Sequence, residues 1–369
     1  MTNTTKYNSV RAEQSRAEQS RAEQSRAEQS SPIVRNSSLE LLRIVGMVMI
    51  VACHTNHGGF NFPLNSITLN RLWQQFISMG GGLGNDIFVM LSGYFLITSK
   101  GLNLRRLFNL WVRIFFYSVL TYALFLFAGK TDFTLGVAVK VVMPITKSVW
   151  WFASTYFVLY LIHPYINILL NGFTHEEYKN FLLTIGLYWC IIPMFLYSYF
   201  GANSTINFIC LYSLAGYIRL WCKDLAGRKY LLYALACIGL NFLSVIVLDV
   251  IGLKIPIVGK HALYFAEMMR PFTILAVVCL LVGFRSMNIT YSKIINLLAS
   301  ATFGVYLIHD NNFVRHFLWY DLFHNASFQD SPYLIPYSTA VILAVYVVCT
   351  IIELLRSKIF RTLSGNRLS

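Results

Sequence analysis

Two ionisable residues mark an otherwise apolar run near the start of the chain. In "LLRIVGMVMIVACHTNH", residues 41–57, Arg43 stands near one end and His54 near the other, with no charge between them. Eleven residues of α-helix turn through about 1100°, within about 20° of three full turns, so both side chains share one face about 16 Å apart along the axis. An arginine at the end of a membrane helix snorkels to the interface or holds a phosphate. An imidazole deep in the same helix is either a hydrogen-bonded packing group or a proton acceptor. The pair suits a ligand whose anionic head stays at Arg43 while a reacting group reaches His54. Ionisable groups inside a membrane are functional candidates by default.

The elements that carry these residues follow from composition. Of 369 residues, 56% are hydrophobic and 12% charged. Apolar stretches of about 18–23 residues recur, long enough to cross a hydrocarbon core of about 30 Å. In lipid each backbone group must be bonded within its own segment, so the expected fold is all-α, a polytopic bundle. A β-barrel would need alternating segments of about ten residues, which the chain lacks. Ten spans are expected, near 38–56, 76–98, 107–128, 150–171, 180–199, 204–222, 230–253, 262–284, 297–318 and 333–355. Residues 130–148, apolar but short and interrupted by Lys140, read as a re-entrant or interfacial piece.

The net charge of +14 does not require a nucleic-acid partner. Lys and Arg concentrate before Arg43, from Lys100 to Arg113, from Arg219 to Lys229 and after Arg356. That bias fits ten spans with both termini cytoplasmic. The first 30 residues have no apolar core, so no cleavable signal is expected. Seven cysteines form no CxxC pair and are expected as buried small hydrophobes. Residues 11–30 are RAEQS repeated four times, polar and without aromatics, which cannot bury enough surface to order itself. The expected organisation is a disordered tail over 1–35, a membrane domain over 36–358 and a short tail over 359–369.

Counting depth from each predicted cytoplasmic helix end brings further residues level with His54. His54 lies at about 24 Å, Asp86 at about 18–20 Å, His309 at about 18 Å, and Arg270 and Glu267 at about 21 and 26 Å. Groups this costly to expose to lipid should face a shared polar cavity. His54 is the best general base there, since a neutral imidazole can take a proton from an attacking hydroxyl. Asp86 is expected on its other nitrogen, fixing the tautomer. His309 does similar work or orients an acceptor. Glu267 and Arg270, at i and i+3, form either a neutralising pair or part of the substrate wall. His54 and His57 have no third ligand nearby in sequence, so no metal site is expected. His309 and Asp310 are adjacent and should point apart on a helix.

Five motifs carry a resemblance. "RIVGMVMIVACH" resembles the Arg-x10-His signature of the acyltransferase-3 family, integral membrane enzymes that acylate sugars and surface glycans. "GGLGNDIFVMLSGYFL" (81–96), "LNLRRLFNLWVRIF", "WWFASTYFVLYLIHPYIN" and "FGVYLIHDN" resemble its later motifs, in the right order, between about 36 and 312. His163 before Pro164 departs from the pattern, where a small or polar residue is expected. The resemblance implies an O-acyltransferase of the cell (plasma or inner) membrane. It implies acyl-coenzyme A, with acetyl the expected acyl group, as donor, and a sugar or polysaccharide precursor as acceptor. Arg43, Arg105, Arg106 and Arg113 then read as a phosphate clamp for the coenzyme, because a guanidinium binds phosphate bidentately. A transporter or flippase for an anionic or lipid-linked substrate is the alternative. It too needs buried charges and a basic mouth, but such folds often show matching halves, and no internal repeat is found beyond the tail.

Overall fold

The computed structural model describes residues 36–196 and 203–363. The RAEQS repeats and the last six residues lie outside the described residues. All described regular structure is helical. In chain order the elements are α1 (Ser37–His54), α2 (Leu69–Ser78), α3 (Gly80–Leu96), α4 (Leu104–Phe127), α5 (Leu135–Val142), α6 (Trp151–Gly172) and α7 (His175–Gly186). A π-turn, Leu187–Ile191, joins α7 to α8 (Ile192–Leu196). Then come α9 (Ser204–Trp221), α10 (Lys229–Gly252), α11 (Pro256–Lys260), α12 (Pro271–Arg285), α13 (Lys293–His309), α14 (Asn312–His316) and α15 (Leu334–Leu363).

Each of the ten expected spans has its helix. Seven stretches are long and apolar enough to cross a membrane, one of which, Pro256–Arg285, runs through α11, the turns after it and α12. The others, α3, α9 and α13, are 17, 18 and 17 residues long. Polarity is distributed as lipid demands: Phe127 and Phe195 are 95% and 74% exposed, whereas Asp86, Asp249 and Glu353 are buried. The expected interfacial piece is α5 with the turns after it, held to α4 where the Ser118 hydroxyl donates to the Val141 carbonyl (2.8 Å). The last helix continues to Leu363, past the expected boundary at 358.

Two expectations about helix limits fail. The span expected over 262–284 begins only at Pro271, because residues 253–270 fold into α11, a 3₁₀ turn and irregular chain. Proline suits the first position of a helix, and it holds Arg270 before it in extended backbone (φ −83°, ψ 147°). Likewise the span expected over 297–318 stops at His309, and the chain turns before α14.

α1 is central, packed against α3, α12, α13 and α15. Its contact with α3 relies on glycine: a Cβ on Gly84 would lie 2.6 Å from the Gly46 carbonyl oxygen, and one on Gly80 2.5 Å from that of Met49. Only a bare Cα allows the backbones that close. The contact with α13 is registered at its start. The Ser37 hydroxyl accepts from the Ser292 N–H and the Asn296 amide (both 2.9 Å), and that of Ser38 accepts from the Ile289 N–H (2.9 Å).

Candidate active site

That register decides which residues meet at the far end. From Ser37 to His54, and from Ser292 to His309, the helices climb the same number of residues, about 25 Å each. The two histidines therefore arrive level. His54 Nδ1 lies 2.9 Å from His309 Nε2, and the ring centroids are 5.1 Å apart.

The tautomers follow from the network. His309 Nδ1 is 2.6 Å from the Val305 carbonyl, which can only accept, so Nδ1 carries the proton. In the neutral ring, His309 Nε2 is then a bare acceptor. His54 must donate to it from Nδ1, which leaves the lone pair of His54 on Nε2. No hydrogen bond to that nitrogen forms among the described residues. The His54 side chain keeps 17% of its surface accessible, whereas His309 is buried. One histidine ring is partly accessible; the other is buried and holds it.

A carboxylate also approaches, but not the expected one. Asp310 Oδ1 is 3.5 Å from His54 Nδ1 and is itself bridged by Arg315 Nη2 at 2.7 Å. The expectation that His309 and Asp310 diverge holds only inside a helix. Because α13 ends at His309, Asp310 is its C-cap (φ −98°, ψ 10°) and turns towards the same ring. Both histidines thus stand at helix C-termini beside a carboxylate. A proton taken by His54 puts positive charge at the negative ends of two helices, an effect worth about 0.3–1 kcal/mol per terminus.

Asp86 does something else. It is buried on α3, where Oδ2 accepts the Met269 N–H (3.3 Å) and Oδ1 has no hydrogen-bond partner among the described residues. It secures the irregular segment before α12, whose Met269 has φ 63°. Glu267 and Arg270 in that segment pair at 3.3 Å. Arg270 is further tied to the Tyr264 carbonyl (3.0 Å) and stacks on the Tyr264 ring (4.1 Å). Glu267 is half exposed and lines a cavity of about 480 Å³ with Cys53, Ser78, Asn85, Trp151 and Ser204. The cavity adjoins α1 at the residue before His54. The expected single polar slab is therefore two neighbouring groups, the histidine pair with Asp310 and the Asp86–Glu267–Arg270 wall.

The four arginines expected as one clamp also divide. Arg43, paired with Glu40 at 2.7 Å, and Arg106 line a cavity of about 280 Å³ with Ser92, Leu110, Tyr156 and Tyr160. Arg105 is exposed and does not line the cavity that holds Arg43 and Arg106. Arg113 turns to Glu353 of α15 (3.6 Å) and lines a different cavity. From the Arg43 cavity an aromatic seam runs inward: Tyr156 stacks on Phe152 (6.3 Å), Phe152 meets Tyr306 (5.8 Å), and Tyr306 meets His309 (6.3 Å). The departing His163 is buried, bonded to the Tyr160 carbonyl (2.5 Å) and the Ser99 hydroxyl (3.1 Å), a bracing role beside that seam.

His54, His57 and Asp310 offer ligand atoms within 4.8 Å of one another, so the fold supplies the third ligand that sequence spacing lacked. A cation there would have to displace Arg315 from Asp310 or His309 from His54. All seven cysteines are free and five are buried, and none joins this cluster. A family model described as an acyltransferase domain matches residues 36–354. No curated protein and no solved structure matches the chain.

Proposed function

The chain belongs to the acyltransferase-3 family, and from that premise we propose that it moves an acyl group, with acetyl expected, from acyl-coenzyme A to a sugar or surface-polysaccharide hydroxyl. The observation that carries this reading is the relay Val305–His309–His54, which leaves a lone pair on His54 Nε2.

In this mechanism Arg43 and Arg106 hold the donor's phosphates, by the charge-assisted bonds that guanidinium makes to phosphate. The pantetheine arm follows the aromatic seam over a length on the order of the Arg43–His54 separation, about 16 Å. The acceptor enters by the cavity that Glu267, Asn85 and Cys53 line. His54 Nε2 takes the proton of the acceptor hydroxyl as its oxygen attacks the thioester carbonyl. The tetrahedral intermediate collapses with loss of the coenzyme A thiolate, and the imidazolium returns the proton to sulfur. His309 orients the base through Nδ1, and Asp310 offsets the transient charge. Holding donor and base on one helix makes the reaction effectively intramolecular.

The test is transfer of radiolabelled acetyl from acetyl-coenzyme A to candidate glycans by purified protein in liposomes. His54→Ala should lose about 10²- to 10⁴-fold while its melting temperature and coenzyme A binding stay near wild type. A folded, donor-binding His54→Ala protein that retains more than about a tenth of the rate overturns the assignment.

A further inference from the structure

A second basic cavity stands apart from the histidines, between α4 and α15. It measures about 340 Å³ and is lined by Arg113, Arg356, Arg361, Asn109 and Ser357, with Phe108 and Leu363 at its rim. The charge inside is unequal. Glu353 is buried and holds Arg356 bidentately (2.8 and 2.6 Å), Arg113 at 3.6 Å and the Tyr117 hydroxyl at 2.7 Å. It sits hard against α13, where a Cβ on Gly304 would fall 2.4 Å from its side chain. Among the described residues no carboxylate lines the cavity itself; Glu353 lies behind it, so three guanidiniums face it against one acid. Glu353 neutralises Arg356, which is nine-tenths buried, so the surplus positive charge sits on Arg113 and the exposed Arg361. The cavity therefore presents net positive charge, to which an anion is complementary.

The rim indicates which anion. Phe108 and Leu363 are 56% and 80% exposed on the apolar surface of the bundle. Phe108, Trp111 and Phe115 stack in a ladder along α4, at 6.0 and 5.0 Å, leading away from the cavity. We propose that the cleft between α4 and α15 binds the phosphate headgroup of an anionic membrane phospholipid, with its acyl chains lying along the aromatic ladder. Guanidinium forks take the phosphate oxygens; Asn109 and Ser357 serve the glycerol or headgroup hydroxyls. The site is separate from the donor cavity at Arg43 and does not depend on the acyl-transfer reading.

Native mass spectrometry of the purified full chain, titrated with phosphatidylglycerol or phosphatidylcholine, tests it. Phosphatidylglycerol should be retained preferentially. Arg361→Ala, at an exposed position, should lower that retention about three- to tenfold and leave phosphatidylcholine unchanged. Arg113→Gln should act in the same direction, with folding followed by melting temperature. Equal retention of both lipids, or wild-type retention by a folded Arg361→Ala protein, overturns the proposal. So does displacement of phosphatidylglycerol by millimolar inorganic phosphate or coenzyme A, which would make the cleft a site for soluble phosphates.

Discussion

At the residue scale the distribution of roles around His54 is sharp enough to separate by kinetics. Asp310 faces the base and acts only when positive charge appears there. Asp310→Asn keeps the shape and removes the charge, so kcat should fall about ten- to a hundredfold with donor KM unchanged, since a hydrogen bond to a charged group is worth about 1.5–3 kcal/mol. Asp86→Asn acts through the Met269 segment instead and should raise acceptor KM more than it lowers kcat. If Asp86→Asn were the more damaging to kcat, the carboxylates would have been assigned the wrong way round. The arginines separate similarly. Arg43→Ala and Arg106→Ala should each raise donor KM about tenfold or more, whereas Arg105→Ala, outside the cavity that holds them, should leave it near wild type. Equal effects of all three would mean a diffuse basic surface rather than a built pocket. A base that uses a bare lone pair needs no cation, so prolonged EDTA treatment should leave the rate unchanged. A loss that zinc restores would turn His54, His57 and Asp310 into a metal centre.

At the element scale the site exists because two parallel helices share a starting line. Ser37 and Asn296 set that line about 25 Å from the histidines, and the glycines of α3 let α1 lie close enough to keep it. Gly84→Ala must part α1 from α3, since the added carbon meets the Gly46 carbonyl oxygen as well as the Ile50 side chain. Overpacking of this kind typically costs about 1–3 kcal/mol, so the melting temperature should drop by several degrees, while Gly101→Ala, which meets nothing within 4 Å, should not change it. An unchanged melting temperature in Gly84→Ala would show the α1–α3 contact to be loose. The sequence made the existence of these helices legible, since apolar length alone sets a span. It did not show where α13 stops. "YLIHDN" contains no proline or glycine to end a helix; the turn is made by Asn311, whose side chain accepts from the Phe313 N–H to cap α14, and by Asp310, which pairs with Arg315 and approaches His54. That is why the sequence points to Asp86, and not Asp310, as the partner carboxylate. Pro271 did carry a stop signal, and reading it as the first residue of a helix would have released Glu267 and Arg270 from the span.

At the scale of the whole molecule, polarity is arranged along α1. Pairings across helices that are distant in sequence, such as Glu353 with Arg113, or Asp249 with Arg71 at 2.5 Å, have no local signature and were not legible. The separation of Arg43 from His54 was, because both sit on one helix of fixed rise. The proposed mechanism puts Arg43 and Arg106 at the cytoplasmic mouth, in line with the positive-inside bias, and the acceptor cavity beside Cys53 and Glu267 in the outer half. On that proposal donor and acceptor approach from opposite sides and meet at His54. In sealed liposomes with acetyl-coenzyme A confined to the side that Arg43 faces, a glycan supplied only to the other side should become acetylated. The coenzyme should stay where it was supplied, because only its acyl group passes His54. Supplying donor and glycan together on the glycan's side alone should give little product. A transporter predicts the reverse pattern: labelled substrate crosses unchanged, and His54→Ala abolishes movement with no acetylated product in either compartment. Acetylation that requires both substrates on one side would retain the chemistry at His54 but place both entrances at the same end of the bundle.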